Sequence, residues 1–219
     1  TNSQLIAITH LGVKAQRSQI LLIDTLTNKH QTLTSEKYAS FSPTFSSDSS
    51  WLYFLSDRYF NSFPSSPWGD RNMGASFDRK TQIFAISLKE NTQFPFEQPT
   101  ELDGLKDVVD ATDKEAKDSG KSDGESDSET SDTSKETNSE TQPKITVDWQ
   151  NIAHRLWQVP VSSGNYSKIL ANKKFLFVLD TINEPNSQAQ LKSIKIEPKS
   201  KPKTFLSSVQ SFSLSDDGN

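Results

Sequence analysis

The chain has 219 residues, with 24 Lys and Arg against 28 Asp and Glu, three histidines and no cysteine. This length holds one large domain or parts of two. The missing cysteines exclude a disulfide framework, thiolate metal sites and a cysteine nucleophile, and no apolar run reaches the roughly 18 residues of a membrane span. The net charge of −4 hides a division: residues 101–142 carry fourteen acidic residues and five lysines, a local −9, which leaves +5 for the rest. A weakly basic remainder without a Lys/Arg cluster gives no nucleic-acid footprint.

In chain order the first hundred residues read as strands. Leu5 to Thr9 and Gln19 to Asp24 are short apolar runs, separated from a strand at Gln31 to Thr34 by the polar turn Thr25 to Asn28. Next come Phe41 to Phe45, a Ser/Asp turn at 46–50 and the run Trp51 to Leu55, apolar on both alternating faces. A strand with two apolar faces is expected to be covered by other sheets on both sides. A 22-residue loop, Tyr59 to Lys80, precedes the strand Gln82 to Leu88. No stretch shows a 3.6-residue period, so the predicted class is all-β.

The pattern repeats. Leu5-Ile6-Ala7 and Leu52-Tyr53-Phe54 lie 47 residues apart, each followed by a second apolar strand (Ile20 to Leu22, Ile83 to Ala85). A third copy runs through Lys174 to Leu179, Leu191 to Ile196 and Thr204 to Leu206. The ending Ser211 to Asn219 matches Ser42 to Ser50 when Phe45 is set against Leu214 and Asp48 against Asp217. Four short strands every 40–50 residues, with an aspartate turn between the first two, is a β-propeller blade pattern of four-stranded antiparallel sheets. Between the copies, residues 110–142 contain no aromatic residue and are rich in Ser, Thr, Asp, Glu and Lys. Such a segment buries too little surface to offset its ordering entropy and is expected to be a disordered, solvated tether. The division predicted is 1–100 for the last blades of one propeller, 101–143 for the linker and 144–219 for the first blade or blades of a second.

Two stretches are more specific than the blades, which alone are TolB-like. One is Ser56-Asp-Arg-Tyr-Phe-Asn61, continued by Phe77-Asp-Arg-Lys-Thr-Gln-Ile-Phe84. The other is Ile145-Thr-Val-Asp-Trp-Gln-Asn-Ile152, continued by Arg155 to Val161 and Gly164-Asn-Tyr166. In this order they resemble the tricorn protease family at the passage between its two propellers, although the family commonly has Asp-Gly where this chain has Trp149-Gln150-Asn151. The resemblance covers nearly all of the chain outside the acidic run. It implies a large serine peptidase as parent, homo-oligomeric, with its Ser/His site in domains beyond residue 219 and propellers that guide or filter peptide substrates. No catalytic residue can be carried over, because the matching segments are absent. Thr1 leads almost directly into a strand and Asp217 to Asn219 is a turn, so the chain reads as a piece of a longer protein, and a missing leader carries no information. The long acidic run favours a periplasmic bacterial protein over a cytoplasmic one.

Candidate reactive groups are few. Of the three histidines, His10 and His30 read as surface loop residues and His154 as the start of a strand, and no serine sits in a Gly-x-Ser-x-Gly elbow. No His-x-x-x-His pair points to zinc, and Gly12, Gly69 and Gly74 form no phosphate loop. No cofactor is expected. The loop 59–80 stands out for its length and for its aromatic residues beside arginines. Arg58, Trp68, Arg71 and Arg79 are the candidate contacts for peptide or for a neighbouring domain. Asp57, Arg58, Asp78 and Arg79 are expected to form a local ion-pair and turn network. Two rivals remain: a TolB-like propeller scaffold for protein–protein binding, and the propeller of an oligopeptidase with an α/β-hydrolase partner.

Overall fold

The computed structural model describes residues 4–62, 77–98, 145–182 and 187–215, with the side chains of 61 and 62 left aside. The predicted tether, Trp68 and Arg71 lie outside the described residues.

The first sheet is β1 (Leu5–Leu11), β2 (Ser18–Asp24) and β3 (His30–Thr32), antiparallel in that order. Its turn after β2 is built by Asp24, whose carboxylate accepts from the Leu26 and Thr27 N–H groups at 2.9 and 3.3 Å, and by Asn28 at φ 54°. The second sheet holds β4 (Ser40–Phe45), β5 (Trp51–Asp57), β8 (Thr81–Ser87) and β9 (Leu156–Gln158). Between β5 and β8 a small arm pairs β6 (Asn61–Ser62) with β7 (Phe77–Asp78). The third sheet is β10 (Tyr166–Ala171), β11 (Phe175–Asp180), β12 (Gln190–Lys195) and β13 (Lys203–Leu206). These are propeller blades in the all-β class that the repeat predicts.

Side-chain alternation decides how the sheets stack. Along β5 and β8, Leu52, Phe54, Phe84 and Ile86 point one way and join Leu5, Ile20, Leu22 and Leu33 of the first sheet in one core. Trp51, Tyr53, Leu55, Ile83 and Ala85 point the other way and join Tyr166, Ile169, Leu176, Val178 and Ile194 of the third sheet in a second core. The period of two along a strand produces this division. Ser42, at φ 53° in a bulge of β4, adds a polar tie by accepting the Ile169 N–H on its hydroxyl at 3.1 Å.

The predicted boundary at 143/144 falls inside a blade. Residues after the acidic run supply β9, paired on β8 with Phe84 opposite Gln158 and Ile86 opposite Leu156. The third sheet then packs face to face on that same blade. The described residues are therefore three successive blades of one stack, with the acidic run between the third and fourth strands of the middle blade. Composition marked the run as a domain border, but composition reports solvation and not strand pairing. The two ends of the insertion are clasped together: Asp148 donates its N–H to the Leu88 carbonyl at 2.9 Å, and Arg155 Nε donates to the Ser87 carbonyl at 3.0 Å. Gln4 holds the returning chain from the first sheet, donating to the Ile145 carbonyl at 2.8 Å and accepting its N–H at 3.1 Å. A closed stem explains how a long insertion is tolerated, since closure entropy grows only slowly with loop length.

His154, expected to start a strand, instead closes a 3-10 turn, Ile152–His154, and the strand begins at Leu156. His10 lies within β1 and not in a loop.

Candidate functional site

The richest group of polar and aromatic side chains gathers where β5 ends, β8 begins and the chain crosses from β9 to β10. Strand register brings them together: Asp57 lies opposite Thr81, and Thr81 forms a two-way backbone bridge with Gly164, both bonds 3.0 Å. Gly164 has to be glycine, because a Cβ there would stand 2.6 Å from the Tyr166 ring.

Asp57 accepts the Thr81 hydroxyl at 2.8 Å and pairs with Lys80 at 2.9 Å. Asn165 is the hub. Its Oδ1 accepts the Arg79 N–H at 2.9 Å, its Nδ2 donates to Asp78 at 2.8 Å, and its backbone N–H donates to Asp180 at 2.8 Å. Asp180 in turn pairs with Lys192 at 2.5 Å. Tyr166 donates its hydroxyl to the Ser162 carbonyl at 2.8 Å, and burial, followed by the Asp180 charge, pushes its phenol up to about 12. This network ties the middle blade to the third one.

The four predicted contacts separate. Arg58 is spent within the fold. Its guanidinium lies 4.2 Å from the Phe84 ring centroid and 5.3 Å from that of Tyr38, and its Nε donates to the Ser56 hydroxyl at 3.0 Å. Burial lowers its pKa, an effect too small to discharge a guanidinium. Arg79 keeps a side chain 68% exposed, 3.7 Å from Asp78, on a backbone held at φ 49°. Trp68 and Arg71 lie outside the described residues.

Beside Arg79 the base of the arm presents aromatics to solvent. Phe60 is 59% exposed; its ring meets Phe77 edge-on at 5.5 Å and Tyr38 at 6.2 Å. Sequence reasoning missed Asn165 and Tyr38. Only the Gly-Asn-Tyr run hinted at the former, and nothing at the latter.

The arrangement offers an apolar surface with a cation and a carboxylate at its rim. No described serine is hydrogen-bonded to His10, His30 or His154; His10 Nδ1 lies 3.1 Å from the Leu11 carbonyl oxygen, and its buried Nε2 has no partner among the described residues. Among the described residues no group of three or more His, Asp or Glu could hold a metal ion, and no helix is long and apolar enough to cross a membrane.

If Arg58 caps the Phe84 ring as the distances indicate, Arg58→Ala should cost about 1 kcal/mol of stability, and Arg58→Lys should recover less than half, because an ammonium does not stack. Urea melts of the three proteins check this.

Blades of this kind define the chain as propeller material. Among solved structures it matches the crystal structure of the tricorn protease with a TM-score of 0.66 and 18% identity, over 99% of this chain and 18% of that one. The likeness shows the fold, and the chain spans under a fifth of that protein's length. No family model matches the sequence, and no curated protein does.

Proposed function

We propose that this chain is a non-catalytic propeller segment of a tricorn-like serine peptidase, guiding or size-filtering peptide substrates toward a catalytic core outside it. The observation that supports the reading most is the match of nearly the whole chain to the tricorn protease. The exposed Phe60, Phe77 and Arg79 supply the apolar and cationic contacts that hold an extended peptide without reacting with it. The other domains of the parent are the further partners, and the parent is a homo-oligomer.

Peptidase activity on unstructured fluorogenic peptides, compared between the full-length parent and the 219-residue chain, tests the reading. Activity in the parent, abolished by a serine-directed inhibitor and absent from the segment, is expected. In the parent, Phe60→Ser with Arg79→Ala should raise KM for long peptides and leave kcat on short ones unchanged. A well-folded parent without peptidase activity overturns the proposal and leaves a protein-binding scaffold.

A further inference from the structure

The first sheet has three strands where the second and third have four. β1 stands at its edge, hydrogen-bonded to β2 alone among the described residues, whereas β5 in the middle blade lies between β4 and β8. Leu5 and Ala7 of β1 face the next blade in the stack, as Trp51 and Tyr53 of β5 do. Matched by face, Ile6 and Ile8 correspond to Leu52 and Phe54, one residue away from the alignment that the sequence repeat suggests. Leu52 and Phe54 are fully buried against the blade before them. Ile6 and Ile8 instead stand 44% and 38% exposed, opposite Ile23 and Leu21 of β2. Among the described residues the first sheet thus has no counterpart of β4, and its outer face is open at two isoleucines.

The missing strand has a counterpart later in the chain. After β13, residues 209–215 belong to no sheet, yet they repeat the β4 sequence, with Ser213 and Leu214 at the places of Thr44 and Phe45. From Ser211 to Ser215 exposed and half-buried residues alternate, the period of a strand. Two ties lay the segment over the third blade: the Val209 N–H donates to the Ala189 carbonyl at 2.9 Å, and Lys168 Nζ donates to the Phe212 carbonyl at 2.6 Å. Phe212 takes the place of Pro43, in the bulge where β4 skips its pairing with β5, so the lysine leaves the pairing positions open. At the same end of the stack Phe177 and Phe205 meet at 6.2 Å, and Phe205 is 67% exposed.

We infer that the chain associates head to tail with a second copy of itself. Residues 209–214 of one copy pair along the free edge of β1 in the other, and Ile6 and Ile8 of that β1 pack on the Phe177 and Phe205 face. An open edge strand is a template for such pairing, and the β4–β5 register sets how it is read. Thr44 opposite Tyr53 and Phe45 opposite Leu52 become Ser213 opposite Ala7 and Leu214 opposite Ile6 of the second copy. The occupant is a copy of this chain because the donated strand repeats the one that fills the same place in the middle blade. One copy has strands for three blades; two copies make six, inside the roughly four to eight of closed propellers, and three copies make nine, outside it. A head-to-tail contact whose rotation closes ends growth at that ring. The inference concerns the assembly of this chain and does not depend on the peptidase reading.

Size-exclusion chromatography with light scattering, on the 219-residue chain over a wide dilution series, reads the assembly. Twice the mass of one chain is expected at the concentrated end, and single copies on dilution. Ile6→Asp, at an exposed position, should leave the single copy folded by circular dichroism and abolish the dimer. The chain has no cysteine, so Ala7→Cys chains mixed with Ser213→Cys chains report the register. They should oxidise to a cross-linked pair, because facing positions on adjacent strands bring Cβ atoms within disulfide reach. Ile6→Cys mixed with Ser213→Cys, one residue out of register and on opposite faces, should not. The mass of one chain at every concentration, assemblies that grow past two copies, a dimer that survives Ile6→Asp, or bridging in the shifted pair but not in the matched one overturns the inference.

Discussion

Produced alone, residues 1–98 are expected not to fold cooperatively, whereas the same segment co-expressed with residues 145–219 folds and co-purifies with it. In the whole chain Trp51, Tyr53, Leu55 and Ile83 are covered by Tyr166, Ile169, Leu176 and Val178, and β8 takes its outer hydrogen-bonding partner from β9. Truncation at 98 exposes that entire face. Each such side chain contributes about 1.5–3 kcal/mol when buried, so losing four together is comparable with the whole ~5–15 kcal/mol stability of a domain. The other face alone, against the first sheet, leaves β4 to β8 as a sheet covered on one side only. Circular dichroism melts of the separate and combined pieces, with size-exclusion chromatography of the mixture, check this. A sharp melt for 1–98 at the temperature of the full chain would mean that the acidic run joins two self-sufficient domains after all.

That expectation runs against the division drawn from composition, and the reason is physical. The strands were legible because apolar alternation is local: Trp51 to Leu55 announced two buried faces, and both are buried. The repeat placed the equivalent strands correctly, and the polar turns at 25–28 and 46–50 have the Asx and Ser/Asp chemistry that their residues advertise. The pairing of β8 with β9 has no such local signal. Leu156–Gln158 is only three residues long, and it lies some 70 residues beyond its partner, on the far side of a run whose charge dominates any composition plot.

The candidate site was half legible for a similar reason. Arg58 and Arg79 stand out by residue type at the two ends of a long loop, but type does not tell a stacked guanidinium from a free one. Arg58 reaches inward because Phe84 of β8 and Tyr38, just ahead of β4, offer ring faces there. Arg79 is turned out because Asn165 fixes its backbone from across the blade junction, a contact 86 residues away in sequence.

Two-sided burial makes a second large effect predictable: Phe54→Ala should lose about 3–5 kcal/mol, near the upper range for an aromatic truncation in a core. Phe54 is fully buried, stacks on Phe84 with ring centroids 6.0 Å apart, and fills the space between the first and middle sheets with Ile20, Leu22 and Leu52. Its neighbour Leu55 faces the other core, so Leu55→Ala should also cost about 2–5 kcal/mol. In an ordinary half-exposed strand, one of two adjacent truncations would be nearly silent. β1 supplies that contrast within the same molecule: Ile6 is 44% exposed beside buried Leu5, and Ile6→Ala should cost within about 0.5 kcal/mol, as surface changes do. Urea-denaturation midpoints at constant slope measure all three. If Phe54→Ala proves as mild as Ile6→Ala, the first sheet does not cover the middle blade, and the three blades do not form one stack.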